Sequence, residues 1–266
     1  MLGHRIRPGC IGPDPEKVTA IARLLPPRNI RELSAFLGLV GFYRKFIPQF
    51  AKKARALFSL LKKETTWEWQ PPQEHSFQEL KGALSNDSWL ASPSQLGRFR
   101  LYTDFSAIAF GAALHQIQNG TKLPVTFASR LCRGAETSLD SPTGELAAVI
   151  FALTKFREYL GYGEFDLITD STTVKALQSQ GKLSGKLARW AILLSQFRFQ
   201  VHHRAGTKLG NADGLSRSHQ ADGDADKGMA VQQVWYVGKV GGGLESIQEA
   251  EEDMPHESSS TELRSA

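Results

Sequence analysis

The chain has 266 residues, of which 41% are hydrophobic and 22% charged, an ordinary globular balance with enough apolar material for one or two cores. No run of about 18 apolar residues occurs, which excludes a membrane-spanning helix, and Pro8, Pro13 and Pro15 without an apolar stretch argue against a secretory signal. The net charge of +5 conceals a split: residues 1–217 hold 29 basic and 17 acidic residues, whereas residues 218–266 hold three and ten. A basic body suits a polyanionic partner. Cys10 and Cys132 fit neither a disulfide framework nor a zinc site, which favours a reducing compartment, cytoplasm or nucleus.

The first 30 residues are rich in turn formers, with room for a short helix over 16–25 (Val18, Ile21, Ala22, Leu25). Leu33, Phe36, Leu37, Val40, Tyr43 and Ile47 then recur at helical spacing, with Pro48 behind them. A second helix is expected through Ala54, Leu57, Phe58 and Leu61, and a third from Gln73 to Leu84 after Pro71-Pro72. At Gly97 the period changes. Phe99, Leu101 and Thr103 alternate with Arg100, Tyr102 and Asp104, which predicts a strand. Ala109–Leu114 and Leu123–Ser129 predict two more, joined by the Asn119-Gly120 turn.

A long amphipathic helix follows, with Leu146, Val149, Ile150, Leu153, Phe156 and Leu160 on one face. Phe165–Thr169 predicts a strand, Leu187, Trp190, Ala191 and Leu194 a helix with Trp190 in the core, and Phe197, Phe199 and Val201 a further strand. Asn211–Leu215 can start a last short helix. This β-β-β-α-β-α-β-α order makes the fold class α/β, a mixed sheet with helices packed on it. Beyond Ser218 the composition predicts a mostly disordered acidic tail, within which Val231–Val240 is apolar enough for one strand or a docking peptide.

Four carboxylates fall at element ends: Asp104 ends an apolar strand, Glu145 opens the long helix, Asp170 ends the strand Phe165–Thr169, and Asp213 lies in Asn-Ala-Asp-Gly. Segments can converge at such positions on one edge of a sheet. Converging carboxylates resist ionising together without a counter-charge, and hard Mg²⁺ with oxygen ligands is the usual solution. Two ions roughly 3.5–4 Å apart can activate water and stabilise the leaving oxygen of a phosphodiester. Taken singly, Glu145 and Asp213 are equally readable as helix caps.

The segments Leu-Tyr-Thr-Asp-Phe-Ser (101–106), Phe-Gly-Ala-Ala-Leu (110–114), Phe-Ala-Ser-Arg (127–130), Gly-Glu-Leu-Ala-Ala-Val (144–149), Lys-Phe-Arg-Glu-Tyr-Leu (155–160), Leu-Ile-Thr-Asp (167–170), Leu-Ala-Arg-Trp (187–190) and Asn-Ala-Asp-Gly-Leu-Ser-Arg (211–217) stand in a telling order. In that order they resemble the RNase H domain of reverse transcriptases from gypsy-type long-terminal-repeat retroelements. Leu-Gly-His (2–4) with Asp-Pro-Glu-Lys (14–17) looks like the primer-grip end of the polymerase palm, and Phe-Leu-Gly-Leu-Val-Gly-Phe-Tyr-Arg-Lys-Phe-Ile-Pro (36–48) like the thumb helix. Trp67-Glu68-Trp69 and the helix after it look like the segment joining polymerase to RNase H.

The resemblance implies a palm remnant at 1–16, a thumb-like helical region at 17–65, a connecting segment at 66–95, an RNase H domain at 96–217 built on a mixed five-stranded sheet, and the tail at 218–266. It makes Asp104 the metal-bridging carboxylate, Glu145 the acid that orients the attacking water, Asp170 the second-strand metal ligand and Asp213 the last, more mobile one. The implied reaction is two-metal hydrolysis of the RNA strand of RNA–DNA hybrids with Mg²⁺, or Mn²⁺, leaving a 3′-hydroxyl and a 5′-phosphate. Selectivity would come from 2′-hydroxyls and hybrid shape. A Tyr-x-Asp-Asp-like turn would precede residue 1, so DNA polymerisation is expected only with a palm from the same polyprotein or one separately encoded. A retired, non-catalytic nucleic-acid-binding or scaffold protein is the alternative. Ser171 and Thr143 depart from the family, which often has His and Glu there.

For nucleic-acid contact the candidates are Ser106 and the cluster Arg44, Lys45, Lys52, Lys53, Arg55, Lys62 and Lys63. The cluster reads as phosphate-binding slightly ahead of a solvated helix face. His202 and His203 read as a solvated strand end rather than as proton-transfer groups, and Gly111-Ala112-Ala113 as close strand packing.

Overall fold

Short signals at element ends set the first half of the chain. A computed structural model describes residues 3–85, 88–169, 173–174 and 185–203, and the backbone of 232–234. Strands β1 (His4–Arg7) and β2 (Cys10–Pro13) form a hairpin closed by Pro8-Gly9, with Gly9 at φ 73°, and β2 also pairs with β3 (Leu90–Ala91). This three-stranded sheet corrects the reading of the first residues as turns and one helix. Its strands are at most four residues long and grade from half-exposed β1 to buried β3, so they carry no alternation.

Helix α1 (Pro15–Ala22) starts with Pro at its first position and the Asp14 carboxylate accepting from the Glu16 N–H at 3.0 Å. Helix α2 (Ile30–Phe42) is capped by Asn29, whose side chain accepts from the Glu32 N–H at 2.9 Å. The helical spacing runs on to Ile47, but the helix ends at Tyr43 and Arg44–Phe46 tightens into a 3₁₀ turn ahead of Pro48. The single helix expected through Leu61 is two short ones, α3 (Phe50–Lys53) and α4 (Arg55–Ser59). Helix α5 (Pro71–Ser85) follows.

The second half builds the main sheet from β4 (Arg98–Phe105), β5 (Ala109–Gln118), β6 (Thr121–Leu131), β7 (Glu164–Thr169) and β8 (Arg198–His203), with helices α6 (Ser141–Lys155), α7 (Arg157–Leu160) and α8 (Gly185–Ser195). The order is β6-β5-β4-β7-β8, antiparallel through β4 and parallel across β4, β7 and β8. This is the expected mixed five-stranded α/β sheet. A sixth strand, β9 (Gln232–Val234), pairs antiparallel with β8 at the edge. The rest of the tail and the Asn211–Leu215 helix lie outside the described residues.

Asn119 and Gly120 take φ 49° and 76° in the two-residue β5–β6 turn, the mirror-image geometry that matches strand twist. Pro124 falls in β6, the edge strand, where the register shifts opposite Leu114 and His115. An edge position and a bulge are the places where a strand tolerates a missing N–H.

Both faces of this sheet are buried. On one, Leu101, Phe110, Leu114, Phe165, Leu167, Phe199 and Val201 pack with Leu146, Val149 and Leu153 of α6. On the other, Tyr102, Ala113, Phe127 and Ile168 join a core with Leu33, Phe36, Val40, Tyr43, Phe46, Phe50, Leu57 and Phe77. The helical segments before residue 85 are therefore a second layer on the sheet. Gln116, fully buried, ties the linking segment down, accepting from the Ser94 N–H at 2.8 Å and donating to the Ser94 and Gly97 carbonyls at 2.7 Å.

His115 is 3% exposed on that second face, edge-on to the rings of Tyr102 and Phe127. Burial, with Lys122 adding to it, pulls its pKa from 6.5 down to about 4. The native imidazole thus stays neutral where the unfolded one takes a proton, so stability should fall as pH drops from about 6.5 towards 4 and level off below. Urea denaturation at pH 7 and pH 4.5 checks this: His115→Phe should remove part of the acid loss, and an unchanged pH slope would contradict it.

Candidate active site at the carboxyl edge of the sheet

Because β4, β7 and β8 are parallel, their carboxyl ends share one edge, where chains turn off the sheet and ligands commonly bind. Asp104 sits there, half-buried and one residue from the end of β4. Across the antiparallel pair it faces Gly111, and Gly111 in turn faces Ser129 of β6. A Cβ at Gly111 would lie 3.8 Å from the Asp104 Cβ, so the missing side chain leaves a notch beside the carboxylate.

Glu145 comes from α6. That helix begins at Ser141, earlier than expected, and its cap is Asp140, which accepts from the Thr143 N–H at 3.2 Å. Hydrogen bonds from Thr143 hold the Asp140 carboxyl below its ordinary pKa. Glu145 is therefore not a cap. It lies one turn inside the helix and is 6% exposed, in the turn that packs on β4. The contact is close: a Cβ at Gly144 would fall 2.0 Å from Cε1 of Phe105, so only glycine lets α6 settle on this strand end. Gly144 and Phe105 neighbour Glu145 and Asp104 in sequence, so the segments carrying the two acids touch.

Asp170 follows Thr169, the last residue of β7, and it and Asp213 lie outside the described residues. Among the described residues no group of three or more His, Cys, Asp or Glu side chains could hold a metal ion. Asp104 and Glu145 nonetheless supply hard oxygen donors of the type Mg²⁺ prefers, on segments fixed by packing.

The other candidates divide. Ser106 closes the β4–β5 turn, its hydroxyl accepting from the Ala109 and Ile108 N–H groups at 3.2 and 3.4 Å. Arg44 donates to the Ser129 carbonyl at 2.7 Å, and Lys53 is bound to Glu79. Lys45 lies over the Phe46 ring, and partial burial lowers its pKa. Lys52, Arg55, Lys62 and Lys63 are exposed. His202 corrects the reading as a solvated strand end: it is 7% exposed, with Nε2 3.3 Å from Asp166, which also takes Arg98 at 2.7 Å and Arg100 at 3.4 Å. His203 is exposed, and Trp190 is only partly buried against the core.

Sequence reasoning missed Gln49. Its backbone is left-handed (φ 53°, ψ 32°), and its Cγ comes within 4.0 Å of the position a Gly111 Cβ would take. Nothing in a glutamine signals a positive φ.

Residues 96–197 match the model of the "RNase H-like domain found in reverse transcriptase". The chain is 37% identical over 217 residues to the retrovirus-related Pol polyprotein from transposon 297 of Drosophila melanogaster, covering 81% of the chain and 20% of that protein. It is 34% identical to the counterpart from transposon 412 of the same fly, covering 81% and 18%. To the Tf2-3 transposon polyprotein of Schizosaccharomyces pombe it is 31% identical, covering 81% and 17%. The chain thus spans about a fifth of the length of these curated relatives.

Among solved structures, the foamy viral protease-reverse transcriptase in complex with RNA/DNA hybrid superposes with a TM-score of 0.63 at 20% identity, covering 76% of this chain and 28% of that one. The same protein's dRH form in complex with double-stranded DNA gives 0.62 at 20% identity, covering 76% and 37%. At that identity the likeness shows a shared fold.

Proposed function

Since this chain belongs to the retrotransposon reverse transcriptases and carries their RNase H-like domain, we propose that it hydrolyses the RNA strand of RNA–DNA hybrids at the carboxyl edge of β4 and β7. The observation that carries this reading is the contact of Gly144 with Phe105, which brings the segments bearing Asp104 and Glu145 together at that edge. Asp104, Glu145, Asp170 and Asp213 would hold two Mg²⁺ or Mn²⁺ ions, which supply charge stabilisation for the attacking and leaving oxygens.

The chain's own residues set the geometry. Glu145, almost wholly buried, orients the attacking water, and its fixed helix keeps that water at one angle. Asp104 would offer its carboxylate oxygens to an ion at that edge, and the notch at Gly111 leaves the strand room to approach. Lys52, Arg55, Lys62 and Lys63 give phosphate contacts along the helical layer, so affinity should fall steeply with salt. Domain limits at residues 96–217, an intracellular setting and cooperation with a polymerase palm belong to the same reading.

The test is direct. Purified full-length chain with a 5′-labelled RNA–DNA hybrid and Mg²⁺ or Mn²⁺ should release RNA fragments ending in 3′-hydroxyls, and chelation should stop it. Salt-sensitive binding without cleavage at any Mn²⁺ concentration would favour the non-catalytic scaffold instead.

A further inference from the structure

Across three strands at the candidate active edge, Asp104, Gly111 and Ser129 are register partners and so share one sheet face. The helical layer meets that face through the segment 44–51, held by two hydrogen bonds to one residue. The Arg44 guanidinium donates to the Ser129 carbonyl at 2.7 Å, and the Ala51 N–H donates to the Ser129 hydroxyl at 2.8 Å. Ser129 is 2% exposed, so this anchor is buried.

Between the two anchor points stands Gln49. Its side chain passes over Gly111, whose missing Cβ makes the space between Gln49 and Asp104. The backbone there is left-handed, a conformation that costs a residue with a Cβ about 1 kcal/mol and that Gly or Asn adopts more readily. Within the described residues its carboxamide forms no hydrogen bond that would account for a glutamine at this position. A polar side chain is thus held at a strained position beside the proposed catalytic carboxylate, by an element outside the RNase H-like domain.

We infer that Gln49 contacts the sugar edge of the RNA strand next to Asp104, reading a 2′-hydroxyl from the helical layer. A carboxamide is neutral and carries both donor and acceptor, which matches a hydroxyl, itself both, rather than a phosphate, which only accepts. The 2′-hydroxyl is the group that tells RNA from DNA. The inference rests on the hybrid-cleaving function proposed above and adds to it a residue that selects the ribose strand.

Gln49→Gly separates function from structure, because it removes the side chain and relieves the positive φ together. The full-length variant should melt at the same temperature as the parent chain or higher. Its binding to an all-ribose hybrid, measured with Ca²⁺ replacing Mg²⁺, should weaken about fivefold, the size of one neutral hydrogen bond. A series of hybrids with one 2′-deoxy substitution stepped along the RNA should contain one position at which the parent loses that factor and the variant loses nothing.

Equal binding of parent and variant to the all-ribose hybrid would overturn the inference, as would a deficit unchanged by every deoxy substitution. A parent chain that binds hybrids but cuts none sinks the nuclease reading, while the binding series still reports on the Gln49 contact.

Discussion

Asp104→Asn should reduce single-turnover cleavage of the RNA strand by at least about a hundredfold, the scale of losing a charge aimed at the reacting centre. The side chains are the same size, and Asp104 is half-exposed at the end of β4, so the sheet should be unaffected. What changes is one carboxylate oxygen replaced by an NH2 group, which leaves a neutral side chain with a single carbonyl oxygen as a much weaker donor to a hard, doubly charged cation. Melting temperature and hybrid binding should stay near the parent values. A variant that cuts at the parent rate would remove Asp104 from the site.

Gly144→Ala should damage both stability and cleavage. The new methyl would stand 2.0 to 2.4 Å from three atoms of the Phe105 ring, which is itself packed on Phe110 at 5.5 Å between centroids. Neither ring nor helix can yield without repacking, and overpacking of this kind costs about 1–3 kcal/mol. Lifting α6 moves Glu145 relative to Asp104, so cleavage should fall by more than the lost stability explains, because misplacement of about 1 Å can cost a hundredfold. The Phe105→Ala and Gly144→Ala double variant should recover stability relative to the sum of the singles. Strict additivity in urea denaturation would show that the two side chains do not meet.

The parts of the fold legible in the sequence are those with a strong local period or an unusual turn. Strand β4 shows its alternation, Asn119-Gly120 gives the β5–β6 hairpin, and the stripe from Leu146 to Leu153 gives α6. What was not legible depends on distant residues. Tyr102, Ala113, Phe127 and Ile168 look like ordinary strand positions, and nothing local says that their face is covered by helices from residues 33–84. The helical spacing from Leu33 to Ile47 overshoots because Tyr43 and Ile47 stay buried even though the backbone tightens at Arg44. His202 reads as a solvated end because its partners, Asp166 and the two arginines, come from other strands.

The candidate site divides in the same way. Asp104 and Glu145 stand out because a carboxylate beside an apolar stripe is conspicuous, and the reason for Glu145 being buried is the glycine before it, which the sequence shows but does not explain. Gln49 is silent in sequence, since only the fold brings its loop over Gly111.

Crystals of the full chain with a non-cleavable hybrid and Mn²⁺, measured at the manganese absorption edge, would show whether Asp104 and Glu145 share a pair of ions. Two anomalous peaks are expected, roughly 3.5–4 Å apart at the carboxyl edge of β4, within bonding distance of Asp104 and Glu145 oxygens. Manganese bound elsewhere, or none at that edge with the hybrid in place, would contradict that expectation.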